Sequence, residues 1–106
     1  GEAPPRRGLG FSVEAGETVR AVYWGKVVHD DTLRGFGRVI IVLHDDDYYS
    51  LYAFMQDSQV RPGQNVVRGQ PLGTAGFYPE VKGTGLYFEL RYQQKAVNPE
   101  KWLAAQ

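Results

Sequence analysis

Gly85-Leu86-Tyr87-Phe88-Glu89-Leu90-Arg91-Tyr92 is the stretch whose reading decides the fold. In an extended chain Leu86, Phe88 and Leu90 share one face and Tyr87, Glu89 and Arg91 the other. The first face suits a core. The second carries a ring, a carboxylate and a guanidinium, which suits recognition. Upstream, Arg38 to His44 is a β-branched run long enough for a central strand, and Tyr48 to Met55 is a second strand rich in aromatics. Asp45, Asp46 and Asp47 between them read as a polar turn, so the pair is a β-hairpin. Val19 to Val28 suggests two short strands with a bend at Gly25, and Leu72 to Ala75 another strand. The expected class is therefore mostly β, an antiparallel sheet domain. A short C-terminal helix is expected after it, capped by Asn98 and opened by Pro99, with Trp102 and Leu103 packing back on the sheet. Residues 1–7, with Pro4 and Pro5, read as an extended lead-in, and 8–106 as one domain. Gly16-Glu17-Thr18-Val19 and Gly63-Gln64-Asn65-Val66 form a faint internal echo, each a tight turn leading into a short strand.

The 106 residues allow one core, burying roughly 65% of the surface exposed in the unfolded chain. The 12 Lys+Arg balance 12 Asp+Glu, which argues against a strong nucleic-acid footprint. Without cysteine there is no disulfide, thiolate zinc site or cysteine nucleophile. The longest wholly apolar run, Val39 to Leu43, is far short of the ~20 residues that span a bilayer. Two histidines rule out a three-histidine zinc site.

Most candidate chemistry has a plain alternative. His44 with Asp45 to Asp47, and His29 with Asp30 and Asp31, look like cation ligands, but consecutive residues of a hairpin cannot all converge on one ion, and both read as solvated loops. Ser12, Ser50 and Ser58 lack a nucleophile-elbow context. No glycine-rich loop opens a helix to cradle phosphate. Lys26 and Lys82 lack the hairpin-tip sequence of a lipoyl or biotin carrier. The aromatics are more informative. Tyr48, Tyr52 and Phe54 share one face by period two, and Tyr87 shares its face with Glu89 and Arg91. They read either as core or as an aromatic groove with basic edges.

A series of short motifs in order carries a resemblance. It includes Gly8-Leu9-Gly10-Phe11, Ala15-Gly16-Glu17-Thr18-Val19, Arg34-Gly35-Phe36-Gly37, Leu51-Tyr52-Ala53-Phe54 and Gly69-Gln70-Pro71-Leu72-Gly73. Gly85 to Arg91 and Val97-Asn98-Pro99 with Trp102-Leu103 complete it. Over residues 6–103 the chain resembles the LytM domain, the lysostaphin-type zinc endopeptidase fold of cell-wall hydrolases. The resemblance places the family's early zinc ligands at Arg6 and Gly10, its late His-x-His pair at Gly85 and Tyr87, and a further acid/base histidine at Phe54. None of these residues supplies the donor that zinc or proton transfer needs, so the expectation is a degenerate site with no metal, no cofactor and no enzyme activity.

Within the family the chain is most similar to EnvC-type activators. That implies a domain that binds and activates zinc-dependent N-acetylmuramoyl-L-alanine amidases during cell separation. It implies export to the periplasm, and possible contact with peptidoglycan and division-complex proteins. The alternative is a non-catalytic peptidoglycan-binding or divisome scaffold module. The expected partner groove has Arg7 and Gly10 at one end, Phe36 and Val39 as a wall, and Tyr52 and Phe54 as the floor. Tyr87 stands at the vacated zinc position and Arg91 serves as a charged anchor.

Overall fold

The computed structural model describes residues 8–92 and 95–97. The alternating stretch forms the long strand β9 (Gly83–Tyr92), about which the sheet is arranged. On one edge it pairs with β5 (Tyr48–Ala53), with Tyr52 opposite Phe88 and Tyr49 opposite Arg91. Beyond β5 lie β4 (Gly37–Leu43), β3 (Gly25–Leu33) and the two-residue β6 (Asn65–Val66). The short β8 (Gly76–Tyr78) pairs with the first residues of β9. On the other edge, β1 (Leu9–Ser12) and β10 (Lys95–Val97) lie end to end, with Leu9 opposite Phe88 and Val97 opposite Leu90. All these pairings are antiparallel. A separate ribbon is made by β2 (Thr18–Arg20) and β7 (Pro71–Thr74).

Two apolar clusters follow from the alternation. On the back of the sheet, Ile40, Val42, Tyr52, Leu86 and Phe88 pack with Val19 and Leu72 of the β2–β7 ribbon. On the front, Val39, Leu51, Ala53, Phe54, Tyr78 and Tyr87 form a second cluster, flanked by Leu33, Phe36, Ile41 and Val81. Side chains such as Ile40, Leu51, Leu72 and Leu90 are withdrawn from water completely or nearly so, each worth roughly 1.5–3 kcal/mol.

Three local expectations change. His29-Asp30-Asp31 is not a loop. It lies inside β3, whose Asp30 and Asp31 face Ile40 and Val39 across a hairpin with β4. Backbone pairing overrides the turn preference of Asp there, and the polar residues sit on a projecting strand that tolerates them. The bend expected at Gly25 falls at residues 21–24 instead. His44 is not a solvated turn residue, being only 4% exposed. Its Nδ1 is 2.7 Å from the Trp24 carbonyl and its Nε2 is 2.7 Å from Ser50 Oγ. The Ser50 and Tyr52 hydroxyls are 2.8 Å apart, and Val22 N–H donates to the Tyr52 oxygen at 3.0 Å. This polar row ties the 21–24 segment to the β4–β5 hairpin. Burial holds the His44 pKa below its usual value, against the opposing pull of the Trp24 carbonyl, and pushes that of Tyr52 up to about 12. A neutral His44 that gives its Nδ1 proton to Trp24 leaves Nε2 to accept from Ser50, and the Tyr52 hydroxyl then turns to Ser50.

The internal echo holds as read, since Gly16 and Gly63 have φ 85° and 93° in turns closed by Glu17 N–H to Glu14 O and Gln64 N–H to Arg61 O, both at 3.1 Å, just before β2 and β6, and Gly69 adds a third such turn. Gly63 and Gly69 both have positive φ, 93° and 83°. Gly63 N–H donates to Val27 O and Val27 N–H to Gln64 O, at 2.7 and 2.8 Å, while Gly69 and Gln70 make the same reciprocal pair with Ala21 at 2.8 and 2.9 Å. Each glutamine closes its own turn by accepting a backbone N–H, from Arg61 at 3.3 Å and Val67 at 3.0 Å. The expected lead-in over 1–7 and the helix from Asn98 lie outside the described residues.

Candidate functional site

The front cluster sits where β1, β5, β8 and β9 meet. Strand register sets Tyr87 between Gly10 of β1 and Ala53 of β5. Phe36, at the tip of the β3–β4 hairpin, brings its ring centroid within 5.8 Å of that of Tyr87. Strand β5 ends at Ala53, and Phe54 follows with φ 62°. That left-handed conformation is costly for a bulky residue. It is held by hydrogen bonds from Phe54 N–H to Phe36 O and from Gly76 N–H to Phe54 O, at 3.0 and 2.8 Å. The turn carries Phe54 off the face that period two assigns it and onto the front.

There Phe54 stacks on Tyr78, centroids 4.7 Å apart at 21°, and Tyr78 approaches Tyr87 at 6.4 Å. The Tyr78 hydroxyl donates to Glu80 Oε2 at 2.9 Å. Its ring lies in a cradle of two glycines. A Cβ on Gly10 would stand 2.3 Å from Tyr78 Oη and 2.9 Å from Cε2. A Cβ on Gly85 would stand 2.9 Å from Tyr78 Cδ2.

A polar chain runs along the same face of β9. Gly8 N–H donates to the Tyr87 oxygen at 2.9 Å, and the Tyr87 hydroxyl donates to Glu89 Oε2 at 2.8 Å. Arg91 Nε donates to Glu89 Oε1 at 2.8 Å. The Glu89 side chain is 3% exposed and that of Arg91 36%, so a buried carboxylate steadies a guanidinium that reaches solvent.

Of the residues expected at the site, Gly10, Phe36, Val39, Phe54, Gly85 and Tyr87 converge on this cluster, with Arg91 further along the same face of β9. Arg6 and Arg7 lie outside the described residues. Tyr52 is a correction. It is not part of the floor beside Phe54, because it remains within β5 and points to the back of the sheet. It is 1% exposed, its ring centroid is 5.5 Å from that of Phe88, and it borders a separate cavity of about 250 Å³ with Leu9, Phe11, Val22 and Leu86. Tyr78 and Glu89 are participants that sequence reasoning passed over. Glu89 was legible, lying between Tyr87 and Arg91 on one strand face. Tyr78 was not, since β8 is only three residues long.

The residues do not fit zinc. Gly10 and Gly85 offer no donor, Tyr87 already serves Gly8 and Glu89, and the Tyr78 ring fills the cradle between the glycines. No group of three or more His, Asp or Glu able to hold a metal occurs among the described residues.

Comparison with known proteins agrees with this architecture. The catalytic domain of lysostaphin from Staphylococcus simulans superposes with a TM-score of 0.83, covering 93% of this chain and 79% of its own at 23% identity, which speaks for the fold. The murein hydrolase activator EnvC of Escherichia coli (strain K12) is 37% identical over 97 residues, 92% of this chain and 23% of EnvC. The murein hydrolase activator NlpD of the same strain is 39% identical over 98 residues, 92% of this chain and 26% of NlpD. The chain thus spans about a quarter of each activator. The model of peptidase family M23 matches residues 4–99, and the chain accordingly belongs to that family, as a LytM domain.

Proposed function

We propose that this domain is a catalytically inactive LytM domain that binds and activates a zinc-dependent N-acetylmuramoyl-L-alanine amidase of the cell envelope during cell separation. The observation that supports the reading is the close packing of Phe54, Tyr78 and Tyr87, which are 8%, 2% and 2% exposed, where the resemblance puts the family's catalytic pocket. A pocket packed with rings has no room for a water to be activated, yet it gives a rigid floor for a partner surface. Relatives named murein hydrolase activators support a cell-wall hydrolase as that partner, and the reading takes it to be an amidase met in the periplasm, with peptidoglycan and the division complex at hand.

The contact surface consists of the half-buried side chains around that floor. Leu33, Phe36, Ile41 and Val81 supply apolar area, and Arg91, steadied by Glu89, supplies a charged anchor at its margin. Tyr87 and Phe54 act from beneath by holding this surface in shape. Binding an amidase segment here shifts the amidase toward its active form, which requires only that the segment's bound and free states differ in affinity.

The test is stimulation of a purified amidase on isolated sacculi. Arg91→Ala and Phe36→Ala are each expected to reduce stimulation tenfold or more while the domain stays folded, as for interface hot spots of about 1.4 kcal/mol or above. Full stimulation by both folded variants refutes the surface assignment. Sacculus binding by the wild-type domain with no stimulation of any amidase replaces the activator reading with a scaffold.

A further inference from the structure

The mismatch with a zinc site goes further than missing ligands. We infer that the Tyr78 ring fills the space against β1 and β9 where the resemblance puts a metal site, bracing strands that their ladders already join, and that residue 10 is held to glycine by this ring. The inference rests on the fold and on Tyr78 packing, independently of which partner the domain binds.

The contacts at the two glycines separate cause from coincidence. The three heavy atoms nearest a Cβ on Gly10 are Tyr78 Oη at 2.3 Å, Cε2 at 2.9 Å and Cζ at 3.0 Å. All belong to one side chain, so Tyr78 by itself excludes a larger residue there. At Gly85 a Cβ would meet Tyr78 Cδ2 at 2.9 Å and also the Phe11 backbone oxygen at 2.8 Å. Gly85 is therefore restricted twice, once by the ring and once by the pairing of β1 with β9. The ring cannot retreat easily. It stacks on Phe54 at 4.7 Å, it is 2% exposed, and its hydroxyl is tied to Glu80 at 2.9 Å.

Backbone ladders already join β1 and β8 to β9, and the Tyr78 ring packs across them. The ring lies against the backbone of β1 at Gly10 and of β9 at Gly85, while belonging to β8 and clamping Glu80 in the 3-10 turn Pro79–Val81 beyond it. That turn includes Val81, part of the front apolar surface. Tyr78 is thus a positioning residue that both closes the old pocket and sets the wall beside it.

The deciding experiment is a double-mutant cycle read by thermal unfolding. Gly10→Ala in the wild-type background is expected to lower Tm by roughly 4–8 °C or more. In a Tyr78→Ala background the same change is expected to cost almost nothing. Should Tyr78→Ala fail to fold, Tyr78→Phe serves, because it removes Oη, the closest atom, and lowers the Gly10→Ala penalty, while Cε2 at 2.9 Å retains part of it. Gly85→Ala provides the internal contrast and remains destabilising in every background, since the Phe11 oxygen is still there. Hydrogen exchange gives an independent readout, with amides of β1 (Leu9–Ser12) losing protection when Tyr78 is truncated. An equal Gly10→Ala penalty with and without the Tyr78 ring, or unchanged β1 protection in the truncated variant, overturns the inference.

Discussion

The Tyr87 hydroxyl donates to Glu89 Oε2 at 2.8 Å, joining two residues of one strand face into a buried polar pair, with Arg91 closing on the other carboxylate oxygen. Because Glu89 is almost fully withdrawn from water, its charge is tolerated only through these partners. Glu89→Ala is expected to cost up to about 3 kcal/mol, the low end for breaking a buried pair, since Arg91 is partly hydrated. Glu89→Gln keeps an acceptor for Tyr87 and should cost less. Urea unfolding of the two variants checks the order, and equal stability of wild type and Glu89→Ala contradicts it.

Tyr52→Phe tests the separation of the two faces. It leaves the Val22 N–H without its acceptor and the Ser50 hydroxyl with His44 alone, an expected loss of about 1–3 kcal/mol. Stimulation of a partner amidase by the folded variant should be unchanged, because the ring lies on the back. A large drop in stimulation at full stability would return Tyr52 to the functional surface.

The buried row implies a pH dependence. Burial favours neutral His44, so its folded-state pKa lies below the value of about 6.5 that applies in the unfolded chain. Between those two values the unfolded chain holds the extra proton, and stability therefore rises with pH. The contribution of His44 is complete above about pH 6.5 and declines as pH falls through that value toward the folded pKa. His44→Gln should flatten this slope, measured as Tm between pH 7.5 and 5; an unchanged slope assigns it to other groups.

Placing ligand types at two positions that the resemblance assigns to zinc should not create a metal site. Gly10→Asp with Tyr87→His places two donors near a cradle still filled by Tyr78. Elemental analysis after dialysis is expected to find far less than one zinc per chain. Stoichiometric zinc in that variant would show that the ring yields, contrary to its packing.

Much of the fold was legible. The alternation in residues 85–92 and the β-branched run Val39 to Leu43 specify strands, and the acidic turn between His44 and Tyr48 specifies a hairpin, because period and turn chemistry act locally. What local patterns could not show were reversals imposed from outside. The Asp-rich segment after His29 is a strand because β4 pairs with it. His44 is buried because residues 21–24 close over it. Of the candidate site, Gly10, Phe36, Val39, Phe54, Gly85 and Tyr87 were named from the motifs and meet in space, whereas Tyr52 was misplaced by one face.

By itself, the sequence determined the strand-rich class and the division of β9 into one face of Leu86, Phe88 and Leu90 and another of Tyr87, Glu89 and Arg91. These depend on residue type and spacing alone. The tertiary structure decided what packs on the front of the sheet, and buried Tyr87 and Glu89 there. A left-handed turn at Phe54 reverses its side, and a three-residue strand delivers Tyr78 into a cradle of two glycines far apart in the chain. Such choices depend on excluded volume between distant segments, and no local period records them.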